Sequence, residues 1–208
     1  MHPNLCTICE TMFTRVKKRK QVVIPATVLF ADLRGYTTVS EAETSDDVVA
    51  MLHGFYDECA SAIWERDGII NKFIGDAVLA IFNFPITQED HVRQAVLAGI
   101  NIQKRCSERK KLIVGSEGQS VGVGIGIHTG LASIGEVGTA YKHFTIIGPV
   151  VNTASRMQSA AKAGEVLVTK DVYQHVTDLF PNFEVRLCTL KGIEQPLTAY
   201  QLGQQGAA

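Results

Sequence analysis

The run Val121-Gly122-Val123-Gly124-Ile125-Gly126-Ile127 alternates strictly, with Val or Ile at every odd position and Gly at every even one. A period of two is a strand, so one face of this strand is wholly apolar and the other carries no side chain at all. A bare face of that kind lets another backbone or a ligand come close to the sheet. The strand continues through Thr129–Gly135. Val137-Gly138-Thr139-Ala140 then turns the chain into Tyr141–Ile147. This long hairpin reads either as an edge hairpin or as an arm exchanged with a partner subunit.

A second hairpin is written in Ile70–Ile81. Ile70, Phe73 and Ile74 lead to Gly75-Asp76, and Val78, Leu79 and Ile81 follow. Gly75 supplies the positive φ of a tight two-residue turn. Asp76 at the tip is an ordinary turn residue when taken alone. Its meaning changes beside Thr27-Val28-Leu29-Phe30-Ala31, a buried-type strand that delivers Asp32 at its exit, just before Leu33-Arg34-Gly35-Tyr36-Thr37. Two carboxylates at neighbouring strand ends, with a glycine loop beside one of them, suit one or two Mg²⁺ ions that also carry substrate phosphates. That pattern points to nucleotide chemistry.

The chain has 208 residues, 46% of them hydrophobic, enough for one buried domain. A net charge of -1 argues against a general nucleic-acid surface, so a polyanion must be bound locally. The five cysteines, Cys6, Cys9, Cys59, Cys106 and Cys188, are odd in number and form no framework. With no signal peptide and no apolar run of membrane-spanning length, a cytoplasmic setting is expected. Residues 1–21 read as a leader containing a Cys6-x-x-Cys9 half-site and the basic run Arg15–Lys20. Residues 22–203 form the expected catalytic domain and 204–208 a tail.

Thr44-Ser45-Asp46-Asp47 marks a helix start by its hydroxyl cap and first-turn acids. Val48, Leu52, Phe55, Cys59 and Ile63 continue it at helical spacing to about Arg66, where Gly68 ends it. A second helix is expected over about Glu89–Glu108. Gly148-Pro149 opens a third, with Val150 or Val151, Ala154, Met157 and Ala161 as its apolar stripe. Asn152 and Arg156, four apart, share one face of that helix. They fit either a developing phosphate charge or a surface Arg beside a capping-type Asn. Three strand-like segments follow, Glu165–Val168, Phe183–Leu187 and Leu197–Leu202. Lys191, on the loop Leu190-Lys191-Gly192, is able to reach a phosphate.

From Thr27 to Leu202 the order of elements and four motifs together resemble the class III nucleotidyl cyclases, most of all the bacterial adenylate cyclases. The motifs are Phe30-Ala31-Asp32-Leu33-Arg34-Gly35-Tyr36-Thr37, Lys72-Phe73-Ile74-Gly75-Asp76-Ala77, Gly126-Ile127-His128-Thr129-Gly130 and Ile147–Met157. The resemblance implies an α+β fold: a ferredoxin-like βαββαβ core with an added β-hairpin arm and a C-terminal α/β extension. It also implies a head-to-tail homodimer whose two sites are shared. By that resemblance Asp32, Asp76 and the Leu33 carbonyl bind two Mg²⁺ or Mn²⁺ ions, and the amides of Leu33, Arg34, Gly35 and Tyr36 lie near the phosphates. Lys72 and Thr145 face the purine, Asn152 orients the ribose, Arg156 stabilises the transition state and Lys191 holds the terminal phosphates. The departure from pattern is Thr145, where many adenylate-specific members carry Asp. A hydroxyl both donates and accepts, so it satisfies the adenine amino group but discriminates less sharply. The expected activity is conversion of ATP to cyclic AMP and pyrophosphate. The alternatives are a guanylate cyclase and a catalytically silent nucleotide-binding module. A palm-type diguanylate cyclase is disfavoured because the hairpin reads Ile-Gly-Asp rather than Gly-Gly-acidic.

Overall fold

A computed structural model describes residues 21–109, 121–138, 143–188 and 196–203. The expected leader with Cys6 and Cys9, the tail 204–208 and Lys191 lie outside the described residues. The elements in chain order are β1 (Gln21–Arg34), α1 (Tyr36–Ala42), α2 (Ser45–Trp64), β2 (Ile69–Ile74), β3 (Ala77–Phe82), α3 (His91–Glu108), β4 (Gly122–Val137), β5 (His143–Ile147), α4 (Pro149–Ala160), β6 (Val166–Thr169), α5 (Lys170–Tyr173), β7 (Phe183–Cys188) and β8 (Leu197–Leu202). Strand β1 is much longer than the expected Thr27–Ala31, because β4 pairs with it along its full length, from Gln21 opposite Gly135 to Arg34 opposite Gly122. The short helix α1 carries only Val39 as a buried residue, so no amphipathic period announced it. Helix α2 starts at the expected cap: the Thr44 hydroxyl accepts a hydrogen bond from the Asp47 amide at 3.3 Å.

The sheet runs β2-β3-β1-β4-β6-β8-β7, with β5 paired to β4. Its first four strands, with α2 and α3, give the ferredoxin-like βαββαβ core. All neighbours are antiparallel except β4 and β6, which run parallel across the connection through β5 and α4. From Ala26 to Ala31 strand β1 is buried on both faces. Leu29, Ala31 and Leu33 pack with Phe55, Cys59 and Ile63 of α2 and Val96 and Ile102 of α3. Ala26, Val28 and Phe30 pack with Val150 and Ala154 of α4 and with Ile134 and Ile146 of the β4–β5 hairpin. Cys59 is a core residue, as its spacing suggested, and Cys106 is buried beside it in the same core cluster. Among the described residues, no helix is long and apolar enough to cross a membrane.

The bare face of β4 meets a backbone. A Cβ placed on Gly126 would lie 2.0 Å from the Gln158 amide nitrogen and 2.5 Å from the Ala154 carbonyl oxygen, both in α4. A Cβ on Gly122 would lie 2.5 Å from the Ala163 Cβ. Helix α4 therefore rests almost directly on the strand. Gly126→Ala is expected to cost about 3 kcal/mol or more, since the obstructing atoms are helix backbone and cannot give way locally. Gly75→Ala meets nothing within 4 Å but sits at φ +58° and should cost only about 1 kcal/mol. Urea denaturation of the two variants checks this order.

Candidate active site

Asp32 and Asp76 are brought together by strand register. Asp32 on β1 lies opposite Ala77 on β3, which places Asp76 at the adjoining strand end. The Leu33 amide donates to the Asp76 carbonyl oxygen at 3.2 Å and ties the two strand ends together. The hairpin tip is itself anchored from α2: the Tyr56 hydroxyl donates to the Gly75 carbonyl, and the Tyr56 ring lies 4.2 Å from that of Phe73. Partial burial of Asp32, and next the negative charge of Asp76, push the Asp32 carboxyl from its ordinary 3.8 up to about 6. The Arg34 charge and a hydrogen bond from Gln158 oppose that rise without cancelling it.

Both opposing groups act on one oxygen. Arg34 Nη1 donates to Asp32 Oδ2 at 2.8 Å, and Gln158 Nε2 donates to the same atom at 2.6 Å. The guanidinium is in turn fixed by the end of α4, since its Nε donates to the Ala161 carbonyl at 2.9 Å and its Nη2 to the Gln158 carbonyl. It reaches those carbonyls across Gly124, where a Cβ would stand 2.5 Å from Nε. Thus Asp32 is oriented through Oδ2, and repulsion between the two carboxylates persists. A divalent cation between them would relieve it, and carboxylate oxygens are the donors that Mg²⁺ and Mn²⁺ take. Among the described residues no group of three or more His, Cys, Asp or Glu is placed so as to hold a metal ion by itself. A cation held here would complete its shell with backbone, water or substrate oxygens.

Of the expected phosphate-side residues, Leu33 is buried, Arg34 and Tyr36 are half-buried and Gly35 is exposed with φ 85° at the start of α1. Arg34 is expected to act through its amide; its side chain, in addition, locks Asp32 to α4. Asn152 is exposed and Arg156 half-buried, one turn apart on α4. A helix turns about 100° per residue, so Arg156 lies about 160° around α4 from Gln158. Gln158 faces Asp32, and Arg156 therefore leaves the opposite side of the helix. Thr145 on β5 is buried, and its hydroxyl donates to Asn71 Oδ1 at 3.3 Å. Lys72 follows Asn71 in β2, where it pairs opposite Leu79. Lys72 lies within β2, and Asp76 lies beyond Gly75 in the turn between β2 and β3.

Gln158 was missed by sequence reasoning. Its signal was a polar residue four positions after Ala154, on the stripe that faces the sheet. His128 and His91, by contrast, serve the interior: their Nδ1 atoms lie 2.8 Å from the hydroxyls of Thr169 and Thr27 respectively. Burial lowers both imidazoles below their ordinary value.

The model of the adenylate and guanylate cyclase catalytic domain matches residues 18–204. An adenylate cyclase of Anabaena cylindrica is 32% identical over 187 residues, covering 85% of this chain and 36% of its own length. The chain therefore spans little more than a third of that relative. Among solved structures, the adenylyl cyclase CyaB from P. aeruginosa is 30% identical with a TM-score of 0.79, covering 88% of this chain and 95% of its own. The guanylyl cyclase Cya2 is 28% identical with a TM-score of 0.82, covering 90% and 95%. The similar proteins thus include cyclases of both nucleotides. With the fold, the four motifs and the paired carboxylates in agreement, the chain belongs to the class III family of adenylate and guanylate cyclase catalytic domains.

Proposed function

We propose that this domain is an adenylate cyclase that converts ATP to 3′,5′-cyclic AMP and pyrophosphate at sites shared between two copies of the chain, in a cytoplasmic setting. The observation that carries the reading is the Asp32–Asp76 pair, held side by side with an elevated Asp32 carboxyl. Two Mg²⁺ or Mn²⁺ ions bound by Asp32, Asp76 and the Leu33 carbonyl would lower the pKa of the ribose 3′-hydroxyl and neutralise charge on the polyphosphate. The amides of Leu33, Arg34, Gly35 and Tyr36 run from the end of β1 into α1 beside this pair; that of Leu33 is engaged by the Asp76 carbonyl, and the other three would be the donors for phosphate oxygens.

Asn152 and Arg156 leave α4 on the side away from Asp32, which supports their serving the other site of a homodimer. In that arrangement Asn152 orients the ribose, so that the 3′-oxygen stands in line with the α-phosphorus. Arg156 supplies a fixed fork of donors to charge that develops fully only as pyrophosphate departs, where binding energy raises the rate. Lys72 and Thr145 face the purine, and Lys191 reaches the terminal phosphates. Lys72 is of the adenylate kind, which favours ATP. Guanylate cyclase activity is the second reading, because Thr145 carries a hydroxyl rather than a carboxylate and Cya2 is so similar in fold.

Incubating the protein with ATP or GTP and Mg²⁺ or Mn²⁺ over a range of protein concentrations tests the proposal directly. Cyclic AMP should form, with specific activity rising as dimers form. Cyclic GMP as the only product, formed from GTP, or no cyclic product despite metal-dependent nucleotide binding, would reject it. Arg156→Ala should reduce kcat by about a hundredfold or more while changing ATP affinity only a few-fold; equal losses would remove Arg156 from the transition state. The carboxylate pair also makes a stability prediction. Because Asp32 holds its proton to higher pH when folded than when unfolded, metal-free protein should lose stability as pH rises from about 4 to 6, on the order of 2–3 kcal/mol. Asp32→Asn, or saturating Mg²⁺, should flatten that slope in denaturation measured across the range.

A further inference from the structure

Among the described residues near the proposed base site, Asn71 has an unmet requirement. The register of β2 against β3 shifts between Ile70 and Lys72, so Asn71 sits at a bulge, a device that re-aims a side chain. Its Oδ1 accepts the Thr145 hydroxyl proton at 3.3 Å. Its Nδ2 is buried and has no hydrogen-bond partner among the described residues. A buried donor left unpaired calls for an explanation.

We propose that Asn71 determines base specificity by setting the direction of the Thr145 hydroxyl proton; this deepens the reading that Thr145 faces the purine and rests on it. With its proton committed to Asn71 Oδ1, Thr145 presents only oxygen lone pairs outward. Lone pairs match the 6-amino group of adenine, a donor, and oppose O6 of guanine, an acceptor. The unpaired Nδ2 means that the Thr145 contact alone holds the amide in this orientation. A half-turn of the amide places Nδ2 on the Thr145 oxygen, leaves Oδ1 unpaired instead, and frees the hydroxyl proton for guanine O6. Asn71 is thus a positioning residue acting through Thr145. The pair favours adenine in the orientation observed and admits guanine after the turn.

The test uses Asn71→Asp, Asn71→Leu and Thr145→Val. The readout is the ratio of ATP to GTP, both as kcat/KM in direct competition and as dissociation constants from displacement of a fluorescent nucleotide, which needs no turnover. Asp at 71 accepts only, so it fixes the proton inward and should raise the ATP:GTP ratio about tenfold. Leu at 71 releases the hydroxyl to donate or accept and should lower the ratio several-fold. Thermal melts check that each variant folds, and Asn71→Leu alone decides the matter if Asn71→Asp does not. An ATP:GTP ratio that is unchanged or moves the opposite way, while Thr145→Val alters it, overturns the inference and leaves Thr145 at the base. A ratio that no variant moves, Thr145→Val included, overturns both this inference and the placement of Thr145 against the purine.

Discussion

The seating of α4 on the glycine face of β4 is the contact on which the site depends. With Gly126 beneath Ala154 and Gln158, the helix backbone lies where side chains ordinarily separate helix from sheet. That closeness brings the last carbonyls of α4 within reach of a guanidinium from the neighbouring strand. Arg34 fills the gap over Gly124 and joins the Gln158 and Ala161 carbonyls to Asp32. A positive group at the C-terminal end of a helix is favoured by the helix dipole, and this one also orients a carboxylate. Side chains at 122, 124 and 126 would lift the helix and break the link. The same alternation that makes the strand therefore positions the acid.

The carboxylate pair shows the opposite tendency. Folding places Asp32 and Asp76 together and partly removes Asp32 from water, both unfavourable for ionisation. Tyr56 and the Leu33 amide nevertheless brace the hairpin so that Asp76 remains there. The remaining repulsion resides at the site, and it is what makes the pair suited to cations. Elsewhere the charges are better matched. Glu165, for example, accepts both Arg186 Nη1 and Nη2 at 2.9 Å and an amide from Lys162, and these bonds hold its carboxyl below the ordinary range against its burial. That bridge fixes the chain just after α4, whereas Asp32, although paired with Arg34 at 2.8 Å, still faces the charge of Asp76.

Much of this was legible in the sequence because it rests on short periods. The alternation at 121–127, the Thr44 cap, the Gly75 turn and the Pro149 helix start are local rules, and the structure follows them. Asp32 and Asp76 were readable as a pair because each ends an apolar strand. What sequence could not supply was register across distance. That the glycine face receives α4, rather than a ligand, depends on residues nearly thirty positions later. The roles of the Arg34 side chain and Gln158 were hidden for the same reason, since they exist only once β1, β4 and α4 have met. Helix α1 escaped notice because seven residues with one buried Val carry no period to detect.

Helix α4 also constrains how catalysis can be organised. Gln158 fixes Asp32 from one side of the helix, while Asn152 and Arg156 project from roughly the opposite side. Four residues of a helix return almost to the same face, whereas two residues nearly reverse it. Arg156 and Gln158, only two apart, are therefore divided by the geometry of the α-helix itself. In the same chain Arg156 leaves the helix about 160° away from the side chain that touches Asp32. On the proposed reading, in which Arg156 acts on a nucleotide held at an Asp32–Asp76 pair, that pair belongs to another copy. A single helix then helps to build two sites at once: it orients the carboxylate of one and supplies the amide and guanidinium of the other.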